Sequence, residues 1–344
     1  AAPGSGGRGG RGARGGGIEF MKSTDGGATW SVASHDPRPL ARIGGGDVPT
    51  MAVDGSDPNV VYVCSTVFWR TEDGGSTWSA VRGAPGGDDY QKVWVNPAHS
   101  STILLVADQG GVISANRGES WSNWYTQPTA AMYHVTADDA FPYRLCGGQQ
   151  DSGSACVESR SMDGEITFHN WHPVNIQEYG IAAPDPRNPD LVYGAARTGV
   201  SLYNRKTGQT ASVGPDVRAD GGKYSRGVRT KPFLWETAPA THTLLFATNA
   251  VWKSLDGAHS WTRISGDLTR GADWSAPPSA GKYADGYQPT ALASITALAP
   301  SPLSAQVIWA GSGDGLIQLT RDGGATWTIV TPAGIKPWTR IFNM

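Results

Sequence analysis

Charge is scarce in this chain. Only 17% of its 344 residues are Asp, Glu, Lys or Arg, and the formal net charge is −2. The molecule as a whole therefore has no electrostatic footprint for wrapping nucleic acid or an anionic membrane. Long apolar runs are missing too: no stretch approaches the roughly 18 residues that a membrane helix needs, so no transmembrane segment is expected. The N-terminus lacks the charged-then-apolar order of a signal peptide. It begins Ala1-Ala2-Pro3 without an initiator Met, as a processed exported protein or a piece cut from a longer one would; export, to a periplasmic or extracellular location, is the expectation. The seven His are scattered, with neither His-x-x-x-His nor Cys-x-x-Cys spacing, which argues against a structural zinc; no metal or cofactor is expected. Gly44 to Gly46 is followed by no helical pattern, which excludes a phosphate loop.

Cysteine is rare as well. Three allow at most one internal disulfide. Cys146 and Cys156 bracket a turn-rich segment, and two readings stay open: a bridge across a hairpin in an oxidising compartment, or two buried thiols. Cys64, within Val60-Val61-Tyr62-Val63-Cys64, reads as core. What the chain has in excess is 46 Gly, 23 Pro and 14 Trp, a composition of many turns between short, aromatic-rich strands.

Five segments align with one another: Ser23 to Trp30, Thr71 to Trp78, Ser114 to Trp121, Ser254 to Trp261 and Thr320 to Trp327. Their pattern is Ser/Thr-x-Asp/Asn-x-Gly-x-Ser/Thr-Trp, with slight drift in the fourth copy. Asp25, Asp73, Asn116, Asp256 and Asp322 should cap backbone N–H groups in a tight hairpin, with Gly at positive φ. Trp30, Trp78, Trp121, Trp261 and Trp327 should pack beneath it. This is the Asp box that recurs between the outer strands of β-propeller blades, and these ten residues are expected to be structural.

The gaps between the box tryptophans are 48, 43, 140 and 66 residues. The 140 is three periods of about 47, a blade-sized repeat, so two blades have lost their boxes; in the second of these Lys206-Thr207-Gly208-Gln209 serves as the turn. The excess in the last gap is assigned to an insertion at about 265–290. An apolar strand, a turn and a second apolar strand precede each box, giving four strands per blade. The fold expected is all-β: a single seven-bladed β-propeller over residues 18–344. Ring closure is expected from the outer strands at Ile18 to Phe20 and Trp30 to Val32 joining an inner strand at Thr339 to Phe342, which hides both sheet edges. Residues 1–17, nearly all Gly, Arg, Ala and Ser, read as a flexible arm.

Beyond the box, Phe141 to Gly153, Trp171 and the stretch from Trp252 to Thr269 resemble a bacterial family of exported proteins, described as glycosyl hydrolases with BNR repeats or as sortilin-like. More distantly the chain resembles family 74 glycoside hydrolases, around Gly44 to Pro49 and Val60 to Val63, and photosystem II assembly-factor propellers. The family 74 likeness implies a catalytic Asp just after the second strand, but the matching stretch, Ser65 to Trp69, holds no carboxylate, and the second catalytic Asp of those enzymes comes from a second propeller. Hydrolysis needs two carboxyl groups flanking the scissile bond. Sialidases announce themselves with Phe/Tyr-Arg-Ile/Leu-Pro before the first box and use a Tyr/Glu pair and three arginines; the nearest match, Ala41-Arg42-Ile43-Gly44, follows the box and lacks the Pro.

Propellers bind ligands where loops enter the innermost strands. The polar residues beside those strands are therefore ligand or partner candidates: Asp88, Asp89 and Tyr90; His134, Asp138 and Asp139; Glu178 and Tyr179; and Arg229. Gln149, Gln150 and Asp151, the most distinctive polar cluster, join them as a ligand-reading loop, although Asp and Gly there are also what a hairpin needs. Two functions follow. The first is a non-catalytic, protein-binding scaffold subunit of an extracytoplasmic, membrane-associated assembly. The alternative is a glycoside hydrolase or other carbohydrate-active propeller with Asp89 and Glu178 as its carboxylate pair.

Overall fold

The structure is a computed structural model that describes residues 19–41, 43, 49–124, 127, 129–150, 153–196, 199–270 and 293–344. The arm at 1–17, Asp151, the start of the first outer strand at Ile18, most of Gly44 to Pro49 and most of the 265–290 insertion lie outside them. The described residues are all-β, with no α-helix and one 3-10 turn at Phe168–Asn170. They form two compact units, 1–127 and 128–344.

The first unit holds three antiparallel sheets: β1 (Phe20–Lys22) with β2 (Ser31–Ser34); β3 (Thr50–Val53), β4 (Val61–Cys64), β5 (Phe68–Thr71) and β6 (Ser79–Arg82); and β7 (Lys92–Val95), β8 (Ile103–Ala107) and β9 (Gly110–Ser114). The second unit holds four sheets of four strands: β10 (Thr136–Ala137), β11 (Arg144–Gly148), β12 (Ser154–Glu158) and β13 (Trp171–Pro173); β14 (Ile181–Asp185), β15 (Asn188–Ala196), β16 (Gly199–Asn204) and β17 (Gln209–Ser212); β18 (Phe233–Trp235), β19 (Leu244–Ala247), β20 (Val251–Ser254) and β21 (Thr262–Arg263); and β22 (Ile295–Ser301), β23 (Ser304–Ser312), β24 (Ile317–Thr320) and β25 (Thr328–Ile329). Within every sheet the strands pair in chain order, so each is an up-and-down meander, the blade unit of β-propellers.

Side-chain alternation places the core. In β8, Ile103, Leu105 and Ala107 are buried while Leu104 and Val106 are exposed, the period of two expected of a sheet with one covered face. Ile103, Leu105 and Val112 pack with Tyr62, Phe68 and Tyr90, and Phe68 stacks on Tyr62 with centroids 5.6 Å apart. In the second unit Tyr193, Phe233, Leu244 and Phe246 form the corresponding cluster. Each large side chain enclosed in this way contributes about 1.5–3 kcal/mol.

The boxes fold as their chemistry requires. In the second copy, the Thr71 hydroxyl donates to Asp73 Oδ1 (2.8 Å) and accepts the Gly75 N–H (2.9 Å). Asp73 in turn accepts the N–H and hydroxyl of Thr77, at 2.9 and 2.7 Å, and the copy around Asp322 repeats these bonds. Two successive residues take positive φ: Gly74 and Gly75, or Gly257 and Ala258 in the drifted copy. The turn between β12 and β13 is partly box-like: the Ser161 hydroxyl accepts the Asp163 N–H at 3.0 Å, but the Thr167 N–H donates to Asn170 Oδ1. There Gly164 has positive φ but Glu165 occupies the next position, which disfavours the left-handed conformation in a side-chain-bearing residue. Thr167 turns instead to cap the 3-10 segment.

The box tryptophans do more than cover their own turns. Trp78 Nε1 donates to Ser34 Oγ (3.2 Å), Trp261 Nε1 to the Val213 carbonyl (2.7 Å) and Trp327 Nε1 to the Ile264 carbonyl (2.9 Å). Each acceptor lies at the end of the preceding sheet's outer strand, so one indole ties two sheets together. Trp30 and Trp121 bond back to their own box glycines, Gly27 and Gly118.

Hydrogen bonding to the box Thr or Ser lowers the carboxyl pKa of Asp25, Asp73, Asp256 and Asp322 from 3.8 to about 2. A depressed native pKa supplies stability that is present above the unfolded value and lost as pH falls through the native one. The expected result is acid unfolding concentrated between about pH 4 and 2, checked by circular dichroism. Asn in place of Asp73, Asp256 and Asp322 together should flatten that dependence; an unchanged acid titration would show that these turns do not control it.

Two sequence expectations change. Among the described residues the third sheet has three strands rather than four. After Trp121, Ser122 continues the ladder, its N–H donating to the Ile113 carbonyl, and the Gln127 carboxamide lies at the edge: it accepts the Gly111 N–H at 3.0 Å and donates to the Gly111 carbonyl at 2.5 Å. A side-chain amide thus stands in for a strand's backbone. Thr339 to Phe342 is likewise not a strand. Ile341 is buried against Gly311, its N–H bonds to the Ser312 carbonyl, and its own carbonyl accepts the Thr296 hydroxyl at 2.6 Å, so the segment is anchored on the last sheet.

Candidate functional site

Turns of a meander alternate between its two ends. In the second unit the chain enters β10, β14 and β18 at the end opposite the boxes, where the β11–β12 and β15–β16 hairpins also turn. Contacts within the unit bring several of these loops together. Tyr133 and Tyr179 place their rings 4.4 Å apart, and the Tyr133 hydroxyl points to Glu178 Oε1 at 3.4 Å. Arg229 Nη1 donates to the Tyr179 hydroxyl at 2.7 Å, with its guanidinium carbon 5.0 Å from the Tyr179 ring centre. Such a cation over an aromatic face is attractive by about 0.5–2 kcal/mol.

The backbone underneath explains how these side chains are held. Tyr133 N–H donates to the Gly148 carbonyl (3.1 Å), and Gln150 N–H to the Ala131 carbonyl (3.0 Å). Gly148 lies so close to the next loop that a Cβ there would sit 2.9 Å from the Gln177 carbonyl oxygen and 3.0 Å from that of Gly180. That loop closes by a 2.9 Å bond from Gly180 N–H to the Gln177 carbonyl, with Tyr179 at φ +67°. Tyr133 and the candidates Gln149, Gln150, Glu178, Tyr179 and Arg229 thus belong to one patch. Tyr133 was not singled out in the sequence, although its place three residues before an inner strand was the available signal.

Desolvation, and then the neighbouring Tyr179 hydroxyl and Glu178 carboxylate, raise the Tyr133 pKa well above its usual value. Its proton is therefore held, and the hydroxyl acts as a hydrogen-bond donor toward Glu178. Several other acids of the unit are engaged in the architecture. Asp138, a sequence candidate, lies past the far end of β10, its side chain enclosed and ion-paired to Arg144 at 2.5 Å, and it accepts the backbone N–H groups of Ala140 and Arg144; Asp139 shares that end. Asp267 is bound by Arg226 and Thr269. Glu236 has the raised pKa, caused by burial, that would suit a general acid; it follows β18 at the box end and its side chain is sealed from solvent. His134 is exposed on the patch side of β10.

In the first unit Asp88 and Gln109 bond reciprocally, side chain to backbone and side chain to side chain, and Asp89 takes φ +44°. Tyr90 is core: it is fully buried, and its hydroxyl donates to the Gly86 carbonyl at 3.1 Å. The sequence pattern placed it beside a strand, but the ring turns inward because Phe68 and Ile103 leave an apolar slot for it. Cys146 and Cys156 are joined by a disulfide, and Cys64 is a free, buried thiol whose pKa burial pushes up to about 12. Among the described residues no group of three or more His, Cys, Asp or Glu gathers to hold a metal, and no helix is long and apolar enough to cross a membrane.

No family model matches the chain. Over 219 residues it is 27% identical to the xyloglucanase Xgh74A of Acetivibrio thermocellus, a match that takes in 50% of this chain and 25% of the relative; the chain thus spans about a quarter of that protein's length. Among solved structures it is similar to YCF48 bound to D1 peptide (14% identity, 81% of this chain and 80% of that one, TM-score 0.35). It is also similar to the GH74 xyloglucanase of Xanthomonas campestris (16% identity, 80% of this chain and 36% of that one, TM-score 0.25).

Proposed function

We propose that the seven sheets are blades of one seven-bladed Asp-box propeller, and that it serves as a non-catalytic, protein-binding subunit of an extracytoplasmic assembly, with the Gly/Arg arm as its tether. Trp94, Leu104 and Ile113, in register across β7, β8 and β9 and exposed, form the kind of apolar face that a neighbouring blade covers in such a ring.

The observation that carries the functional reading is the Tyr133, Tyr179 and Arg229 patch. Tyr and Arg are the residues over-represented at the energetic centres of protein interfaces, and here they are held by one another before any partner arrives, which reduces the ordering cost of binding. Glycoside hydrolysis requires two convergent carboxyl groups about 5–10 Å apart, whereas among the described residues this patch presents one, Glu178. The second reading, a carbohydrate-active propeller using Asp89 and Glu178, is favoured by the 27% identity to a xyloglucanase.

The test is affinity purification of the tagged chain from envelope extracts of its source, beside a Tyr179→Ala/Arg229→Glu variant and an Asp139→Ala control at the opposite end of β10. A stoichiometric partner kept by wild type and control but reduced at least tenfold by the double variant is the expected result. Xyloglucan hydrolysis abolished by Glu178→Gln, with no partner retained, would replace the binding reading by the enzymatic one.

A further inference from the structure

We propose that β17 is a docking edge for an extended segment of a partner protein, which pairs with it as a fifth strand and places a carboxamide side chain in the pocket beside it. Gln209–Ser212 is the outer strand of its sheet, and all its residues are exposed. The Val213 N–H bonds to the Val200 carbonyl at 3.0 Å. Bonded and non-bonded pairs alternate along an antiparallel ladder, so the backbone of Ala211 faces β16, while Thr210 and Ser212 turn their N–H and C=O groups outward. Among the described residues no hydrogen bond reaches those outward groups. Sheet edges are normally guarded by charge, proline, a bulge or shortness, and the other outer edges are. β2 and β6 pair through a bulge, β9 is met by the Gln127 carboxamide, β13 ends on Pro173, and β21 and β25 have two residues each. β17 pairs over four residues with no register shift and holds neither a charge nor a proline.

The pocket decides what kind of chain pairs there. Its volume is about 260 Å³, below the roughly 300–1,000 Å³ of sites that take free small molecules, so it suits a single side chain. Gly194, Ser201 and Ser212 form a row of its lining across β15, β16 and β17, and Asn175 and Gln177 also line it. Directly paired residues carry their side chains on the same face of a sheet, so the residue opposite Ser212 in an added strand continues that row and reaches the pocket. Asn175 and Gln177 offer carboxamides, and Ser201, Thr210 and Ser212 offer hydroxyls, groups that both donate and accept. A Gln side chain both donates and accepts in return and is long enough to extend over the β17 edge. A second copy of β17 does not meet this requirement: the register that pairs most of its outward groups sets Thr210 of the copy opposite Ser212, and a Thr side chain is too short to cross the strand spacing of about 4.8 Å.

The probe is a fluorescently labelled peptide, Thr-Val-Gln-Val-Thr-amide, titrated against the intact chain by anisotropy. Saturable binding is the expected result, weakened about tenfold or more when Ala replaces the peptide's Gln and lost when that Gln is N-methylated, which removes a pairing donor. Ser212→Pro removes the outward N–H and leaves the ladder bonds of Ala211 and Val213 in place, so it should melt as wild type does and lose the peptide. Equal binding of the three peptides, or no saturation by the first, would overturn the proposal. So would a Ser212→Pro protein with an unchanged melt that binds like wild type; if that variant does not fold, Asn175→Ala/Gln177→Ala, confined to exposed side chains, decides in the same way. A dimer in sedimentation that Ser212→Pro abolishes would give the edge to a second copy and overturn the proposal too. The inference does not rest on the tyrosine patch, because partner retention there and peptide binding at β17 have separate readouts.

Discussion

Replacing Gly147 by alanine is expected to destabilise the second unit by about 3 kcal/mol, near the upper end of what an added methyl does in a filled site. A Cβ at this position would lie 2.2 Å from the His134 carbonyl oxygen and 3.2 Å from Met132 Sδ. The first of these is backbone, so no rotamer change relieves it. Gly147 faces Ala155 across β11 and β12, which leaves the chain around Met132 to His134 as the part that must move. That movement breaks the Tyr133 N–H bond to Gly148 and the bridge between Met132 and Gln149, and it lifts Tyr133 off Tyr179. Urea melts report the stability loss, and partner retention should fall with it. Gly266 is the matched control: it has no positive φ and, among the described residues, nothing within 4 Å of an added Cβ, so Gly266→Ala should melt as wild type does. Equal behaviour of the two variants would mean that the close approach at Gly147 relaxes without loss.

Removing the disulfide by Cys146→Ala/Cys156→Ala should have a comparable effect, about 3 kcal/mol from the restored freedom of the unfolded chain. The two residues are directly opposed in β11 and β12 and are 10 apart in sequence. Both are buried among Val174, Ile176, Ala182 and Val192, so the alanine pair also removes buried sulfur from the core. The segment the bridge closes carries Gln149 and Gln150, so the loss should be felt at the patch as well as in the melt. The measurement is the urea midpoint of the oxidised protein, the reduced protein and the variant. Reduced and variant proteins should coincide within about 1 kcal/mol and both lie well below the oxidised one; a variant as stable as the oxidised protein would show that the bridge constrains nothing the hairpin does not already hold.

Much of the architecture was legible because it is local. A box turn is specified within eight residues: Thr71, Asp73 and Thr77 find one another at separations of two and four, and a positive φ is a demand that Gly alone meets without strain. Copies of such a unit therefore reveal themselves by spacing. The strands around Val61, Ile103 and Leu244 were legible for a related reason, since short apolar runs between turn residues have few other folds open to them. The box-like turn at Ser161 departs from the pattern at Glu165 and Phe168, which stand where the other copies carry Gly or Ala and Trp.

Other features depended on contacts between residues far apart in the chain, which no local pattern encodes. Asp138 and Glu178 look alike in sequence, both acids near inner strands. Arg144 buries one of them in an ion pair, while Tyr133, 45 residues before it, leaves the other on an open patch. Tyr90 and Tyr179 differ in the same way, one filling a slot between sheets and the other held by Arg229 from 50 residues on. Trp261 and Trp327 reach acceptors 48 and 63 residues back. The amino-acid sequence by itself determined the all-β class, the box turns and the period of the repeat, because hydrogen bonds and backbone preferences within a few residues are enough to specify them. Which polar residues became architecture and which became a candidate site was decided only by tertiary packing, because a side chain's role follows from the neighbours that take it out of water or leave it there.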